Sequence, residues 1–102
     1  MNIIRTQEDF DSFIEEGVVF IKITSPTCGP CRSYKTIFEQ FSSENPDVKC
    51  CSIDATELPE VPYALGIRAV PTTVVMKNGM ERARIGGIQT LDALVSLKNK
   101  VI

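Results

Sequence analysis

Residues 18–41 read VVFIKITSPTCGPCRSYKTIFEQF, and they join a strand-like run, a pair of cysteines and a helical pattern. The run at 18–24 is β-branched or apolar except for Lys22, which is typical of a strand covered on both faces. Aromatic side chains then recur at helical spacing and predict a helix over about residues 28–43. The two cysteines therefore lie where a buried strand gives way to a helix.

The segments around this stretch predict further helices and strands in alternation. Asn78 and Gly79 stand between two strand-like runs, which is the strongest short-range signal for a β-hairpin. The other predicted elements are a helix capped by Thr6 and ended by Gly17, a strand at 48–54, a short helix ended by Gly66 and a last helix capped by Thr90. Their order predicts an α/β fold, with a mixed sheet of about four or five strands and helices on both of its sides.

Length and composition define the broad class of protein. The chain has 102 residues, 43% of them hydrophobic, which is enough for one core, so we expect residues 1–102 to form a single domain. The net charge of −2 is spread along the chain, and no segment approaches the roughly 18 uninterrupted apolar residues of a membrane span. We therefore expect neither nucleic acid nor a membrane as a partner.

The first residues lack the apolar run and cleavage pattern of a signal peptide, so we expect a cytoplasmic protein. A reducing cytoplasm keeps most thiols free, which disfavours two structural disulfides as the role of the four cysteines. Metal binding and catalysis remain the better interpretations of a Cys-x-x-Cys pair.

The position of Cys28 and Cys31 favours thiol chemistry. A cysteine at a helix N-terminus has a lowered pKa, because free backbone N–H groups and the helix dipole stabilise the thiolate. Cys28 holds that position, and Cys31 lies one turn into the helix, close enough for a disulfide. A disulfide that closes so small a loop adds little to the stability of the fold, so it is better suited to reversible formation and cleavage than to a structural role. We predict that Cys28 attacks a substrate disulfide and that Cys31 then attacks Cys28 to release the product.

A metal site is the weaker alternative for these cysteines. The chain has no histidine, and its other two cysteines, Cys50 and Cys51, are adjacent, which misses the spacing of a four-cysteine zinc site. We therefore predict neither a metal nor a bound cofactor.

At these residues the chain resembles the thioredoxin family. The resemblance is carried by CGPC at 28–31, GIRAVPTTVVMKNG at 66–79 and Gly86. It implies a thioredoxin fold, a thiol-disulfide oxidoreductase activity towards protein disulfides, and a cis peptide bond before Pro71. It also implies a shallow, mostly apolar substrate groove around Cys28, in which Val70 offers its backbone to an extended substrate. The groove residues are Gly29, Pro30, Ala69, Val70, Pro71, Thr72 and Gly86.

The resemblance also implies partners. Disulfide-containing proteins are the expected substrates, and a flavin-dependent, NADPH-using thioredoxin reductase is the expected electron donor, with glutathione as the alternative. We expect the protein to act as a monomer. A thioredoxin-like module that binds a partner protein without redox turnover is a second hypothesis.

The sequence departs from the family pattern at two positions near the motif. Thr27 replaces the usual tryptophan before the first cysteine, and Lys22 replaces a buried aspartate thought to help deprotonate the second. Lys22 either tunes the proton chemistry of Cys31 from beneath the helix or extends its amine to water along an apolar surface. Cys50 takes the place of a lysine that often pairs with that aspartate. Cys50 and Cys51 are interpreted as small hydrophobic residues on opposite faces of a strand.

A second, weaker likeness is to glutaredoxins. The segment IGGIQTLDAL at 85–94 is similar to the pattern in which a Gly-Gly pair and a nearby acid hold glutathione, so Gly86, Gly87 and Asp92 are candidates for those roles. Asp92 has a simpler interpretation as an acid that stabilises the first turn of the last helix.

Overall fold

The chain folds as one five-stranded sheet with helices packed on it. The computed structural model describes residues 1–102. Its elements are β1 (Asn2–Ile3), α1 (Gln7–Phe13), β2 (Val18–Thr24), α2 (Gly29–Glu44), β3 (Lys49–Asp54), α3 (Glu60–Leu65), β4 (Thr72–Lys77), β5 (Met80–Gly86) and α4 (Leu91–Val101). The strand order is β1-β3-β2-β4-β5, with β1, β3 and β2 mutually parallel and with β4 antiparallel to both β2 and β5.

This architecture confirms the predicted α/β fold, a mixed sheet with helices on both sides. The sequence did not indicate β1, which has only two residues, both exposed, and pairs with β3 at the sheet edge. So short a strand carries no alternation of apolar and polar side chains, and only pairing with its neighbour defines it.

Successive side chains of the central strand β2 point to opposite faces of the sheet, so the core is divided in two. Val19, Ile21 and Ile23 are fully buried and pack in the cluster that includes α1 and α3 residues. Phe20, also fully buried, packs on the other face, in the cluster formed with α2 and α4. A strand covered on both faces needs apolar residues at every position, which explains the nearly continuous run that predicted it.

Helix α2 begins and ends close to its predicted limits. Cys28 is its N-cap, and Pro30 lies in the first turn, where a missing N–H costs nothing. Asn45 ends the helix and donates from its side-chain amide to the Phe41 carbonyl oxygen at 2.9 Å. The same Asn45 accepts a 2.9 Å hydrogen bond from the Lys98 amine, which ties α2 to α4.

The predicted hairpin turn is confirmed at Asn78 and Gly79. Both residues have positive φ, 51° and 85°, as a type I′ turn requires. The Asn78 side chain also accepts a 2.9 Å hydrogen bond from the backbone N–H of Gly17, which anchors the turn to the segment after α1. None of the helices is both long enough and apolar enough to cross a bilayer.

Candidate active site

The first cysteine of the motif lies between β2 and α2, where the chain turns away from the sheet. Cys28 is half-buried, and its Sγ accepts a 3.2 Å hydrogen bond from the backbone N–H of Cys31. The sulfur thus caps the helix, a position in which an anion is stabilised by the helix N-terminus. This geometry suits a nucleophilic thiolate.

The second cysteine is less accessible than the first. Cys31 is 3% exposed, whereas Cys28 is half-buried, and the two are joined by a disulfide with their Cα atoms 5.2 Å apart. An external group therefore reaches Cys28 more readily than Cys31.

The segment before β4 closes over the cysteine loop. The Val70–Pro71 peptide bond is cis, as the resemblance implied, and the Val70 carbonyl oxygen lies 3.7 Å from Cys28 Sγ. Gly87 donates a 2.8 Å backbone hydrogen bond to the Pro71 carbonyl oxygen, and Gly86 pairs with Thr72 in the sheet.

The predicted groove residues lie around the cysteine loop, some at the surface and some beneath it. Gly29 and Pro30 are exposed in the first turn of α2, directly after Cys28. Ala69 is exposed on the opposite wall, and its carbonyl oxygen accepts a 2.6 Å hydrogen bond from the Thr72 hydroxyl. Pro71 and Thr72 themselves are buried, so their side chains support the groove more than they line it.

An apolar hollow, which the sequence did not reveal, continues from this groove. It has a volume of about 240 Å³, is bordered by Ala69 and Val70, and extends to α3, where the Tyr63 side chain is 87% exposed. The remaining lining residues are Ile23, Ala55, Pro59, Pro62, Ile67 and Arg68. They come from separate segments, so no contiguous motif marks them.

Lys22 lies beneath α2, on the sheet face that also carries Phe20. The residue is 3% exposed, and its amine lies 5.6 Å from the centre of the Phe38 ring. Its neighbours on the adjacent strands are Ser52 and Thr73. Burial lowers the pKa of the Lys22 amine, while the Glu39 carboxylate opposes that effect and Lys35 adds to it.

The other two cysteines lie on opposite faces of β3, as predicted. Cys50 packs in the core with α2 and Cys51 in the core with α1, and both are free thiols. Burial raises the pKa of Cys50, and it raises the pKa of Cys51 to about 12. Protonated, buried thiols are poor nucleophiles, so both side chains act as small hydrophobic residues.

These shifts predict a loss of stability at alkaline pH. In the unfolded chain the Cys51 thiol ionises from its ordinary pKa of 9.0, but in the folded chain it stays protonated up to about 12. Its contribution is therefore complete below pH 9 and is lost as the pH rises to 12. Urea unfolding across this range should show the slope of stability against pH flattened in Cys51→Val by up to about 1.4 kcal/mol per pH unit. Equal slopes in both proteins would contradict the expectation.

The residues suggested by the glutaredoxin likeness are only partly brought together. Gly86 and Gly87 lie beside Pro71, whereas Asp92 is exposed in the first turn of α4, after the Thr90 cap. Asp92 takes part in no ion pair. Its position agrees with a carboxylate that stabilises a helix N-terminus.

Comparison with known proteins agrees with this geometry. The family model described as Thioredoxin matches residues 2–100. Among curated proteins, the chain is 34% identical to the thioredoxin of Chlamydia pneumoniae over 97 residues, covering 95% of each chain. It is 32% identical to the thioredoxin of Bacillus subtilis over 96 residues, covering 93% of this chain and 92% of that one.

The chain is also similar to solved structures of thioredoxins. The thioredoxin of Plasmodium falciparum superposes with a TM-score of 0.91 at 27% identity, covering 100% of both chains. From its sequence match and its fold, the chain belongs to the thioredoxin family and is a thiol-disulfide oxidoreductase.

Proposed function

We propose that this protein reduces disulfides in other proteins, with Cys28 as the nucleophile and Cys31 as the resolving cysteine. The observation that carries the proposal is the asymmetry of the pair: Cys28 caps a helix N-terminus at half burial, and Cys31 lies one turn deeper at 3% exposure. This difference in exposure supports Cys28 as the sulfur that meets a bulky substrate.

The reaction proceeds by two exchanges. In the reduced protein, the Cys28 thiolate attacks one sulfur of the substrate disulfide, and the other substrate sulfur leaves as a thiolate that takes a proton from water. Deprotonated Cys31 then attacks Cys28 Sγ, and the bond between Cys28 and the substrate breaks. The substrate leaves as a dithiol, and the protein keeps the two-electron oxidation as its Cys28–Cys31 disulfide.

The substrate segment lies extended across the groove and pairs with the backbone of Val70. Support comes from the 3.7 Å separation between the Val70 carbonyl oxygen and Cys28 Sγ, because a substrate backbone paired with Val70 would lie beside the nucleophile. The groove is bordered by residues with small side chains, so substrates with a wide range of sequences can approach Cys28. These residues are Gly29, Pro30, Ala69 and Gly86. Pro71 and Thr72 hold its floor.

Tyr63, which lines the hollow, should contribute to the affinity for the substrate segment. The exposed ring of Tyr63 offers a rigid apolar face, and pairing with an aromatic side chain of the substrate would contribute about 0.5–1.5 kcal/mol beyond the burial of area. Tyr63→Ser should raise KM for a protein disulfide about threefold to tenfold with kcat unchanged. Steady-state reduction of insulin measures both constants. Met80→Ser, which removes a side chain 71% exposed on β5, is the control and should leave KM as it is. A KM for Tyr63→Ser equal to that of the control would contradict the prediction.

We propose an NADPH-dependent thioredoxin reductase as the electron donor, since the groove and hairpin follow the thioredoxin pattern. Glutathione is the alternative, suggested by Gly86 and Gly87 near Pro71. The oxidised protein is given either the reductase with NADPH or glutathione, and free thiols are counted over time. Faster reduction by the reductase supports the proposal, whereas faster reduction by glutathione replaces it.

Residues 1–102 are proposed to act as a single thioredoxin-like domain, as a monomer, in the cytoplasm. Support comes from two cores that share one sheet and from the low, evenly spread charge. Sedimentation at several concentrations tests the monomer, and fractionation of cells that express the chain tests the compartment. A binding module without redox turnover is the competing function, and it would be favoured if a variant with both Cys28 and Cys31 replaced by serine kept full activity in the cell.

A further inference from the structure

A second cavity reaches the active site from the side away from the substrate groove. It is a cleft of about 340 Å³, and both Cys31 and Lys22 line it. Lys22 projects from the central strand β2, while Cys31 lies in the first turn of α2 above it. The cleft is large enough for several water molecules, each of which occupies about 30 Å³ in the liquid. Cys31 is therefore shielded from bulky substrates, yet it lines a cleft that can hold water.

The Lys22 side chain is fixed in this place by its surroundings. Its stem lies in the sheet face covered by α2, and its amine is held over the Phe38 ring at 5.6 Å. No side-chain nitrogen or oxygen in the protein is fully buried without a hydrogen-bond partner, so the Lys22 amine, which bonds to no protein atom, ends in the cleft. The stem of Lys22 is thus buried, and its amine faces a cleft that can hold water.

The other charged groups around the cleft differ from Lys22 in their exposure. Helix α2 contributes Arg32, Lys35 and Glu39, β3 contributes Asp54, and the segments beside them contribute Arg5, Glu57 and the amino end at Met1. All of them are exposed except Asp54, which is half-buried. Asp54 accepts hydrogen bonds from Thr56, and Glu57 pairs with Arg5.

Lys22 is consequently the one charged side chain in the cleft that shares the burial of Cys31, each being 3% exposed. Solvent screens exposed charges strongly, whereas it screens interactions between buried or partly buried groups much less. Among the charged groups of the cleft, the Lys22 amine is thus the one least screened by solvent. Burial alone would hold Cys31 in its neutral thiol form, which is unreactive.

We propose that the Lys22 ammonium group stabilises the Cys31 thiolate across the hydrated cleft and so prepares Cys31 for its attack on Cys28. Lys22 is a positioning residue, because it acts on the reaction only through Cys31. The inference rests on the proposed function of Cys31 as the resolving cysteine. The Cys31 thiol releases its proton to cleft water, and its sulfur then displaces the substrate sulfur from Cys28. The released substrate thiolate takes a proton from solvent, and Lys22 keeps its own.

The Cys31 thiol can be titrated directly in Cys28→Ser, which leaves it without a disulfide partner. Thiolate absorbance in the ultraviolet against pH gives its pKa, because the buried Cys50 and Cys51 thiols ionise at higher pH. Adding Lys22→Met should raise the pKa of Cys31 by about one unit, as loss of a nearby opposite charge does. Lys22→Arg, which keeps the charge, should restore most of the original value.

The matched control is Lys35→Met, which removes a lysine from the exposed side of the same cleft. It should move the Cys31 titration by much less than Lys22→Met does. Equal titrations with and without Lys22, or equal effects of the two lysines, would overturn the inference.

Rapid-quench measurement of the mixed disulfide then tests the consequence for turnover. Below the Cys31 pKa, its decay should slow about tenfold in Lys22→Met, because a one-unit rise leaves tenfold less thiolate. An unchanged decay rate would also overturn the inference. Failure of the unmodified protein to reduce insulin would instead refute the proposed function, since the titration does not depend on turnover.

Discussion

Replacement of Cys28 by serine should abolish the reduction of protein disulfides, with a fall in turnover of at least about 10³-fold. A serine hydroxyl does not ionise near neutral pH, so the helix N-terminus has no anion to stabilise, and no other sulfur lies at the groove surface. Cys31 is almost fully buried, and the free cysteines are protonated within the two cores. The measurement is steady-state reduction of insulin by the pre-reduced protein.

Two further variants make this prediction specific. Cys31→Ser should still complete the first exchange, and a stable mixed disulfide with the substrate should accumulate, visible as a higher-mass band on a non-reducing gel. Cys50→Ser is the matched control, because it removes a buried sulfur outside the groove and a serine there can bond with Ser42. It should keep near-normal turnover. Mixed-disulfide formation by Cys28→Ser would show that Cys31 is the attacking sulfur and would reverse the proposed roles.

The second large effect is expected in the core beneath α2. Phe41 is fully buried, and its ring centre lies 4.7 Å from that of Phe20 and 6.4 Å from that of Phe38. Phe41→Ala leaves a cavity between the helix and the sheet and should lower the free energy of unfolding by about 3–5 kcal/mol. That is a large part of the roughly 5–15 kcal/mol typical of such a domain. Urea unfolding followed by circular dichroism gives the value.

A smaller truncation keeps the test valid if Phe41→Ala does not fold. Phe41→Leu fills more of the space and should cost about 1 kcal/mol. Tyr63→Ala, which truncates a side chain 87% exposed, is the control and should change stability by less than about 0.5 kcal/mol. Equal losses for Phe41→Ala and Tyr63→Ala would show that this aromatic cluster does not hold the helix on the sheet.

Most of the architecture could be predicted because its signals are local. The continuous apolar run of β2, the Asn78-Gly79 turn and the Thr90 cap each depend on neighbouring residues, and each was predicted correctly. Strand β1 was missed because two exposed residues form a strand only through pairing with β3. The hollow beside Tyr63 was missed because several separate segments form it.

The amino-acid sequence is enough to predict the chemistry of this protein, from two cysteines at a strand-to-helix junction, the absence of histidine and the resemblance to thioredoxins. Residue type and spacing suffice there, because a helix N-terminus acts on groups within its first turn. The resemblance implied that Val70 and Lys22 lie near the pair, but the contacts themselves and the hollow beside Tyr63 became visible only in the folded chain. Folding brought Val70 against Cys28 from a distant segment, and it placed Lys22 and Cys31 on one cleft. Such contacts depend on how the sheet and helix pack, and no local pattern records them.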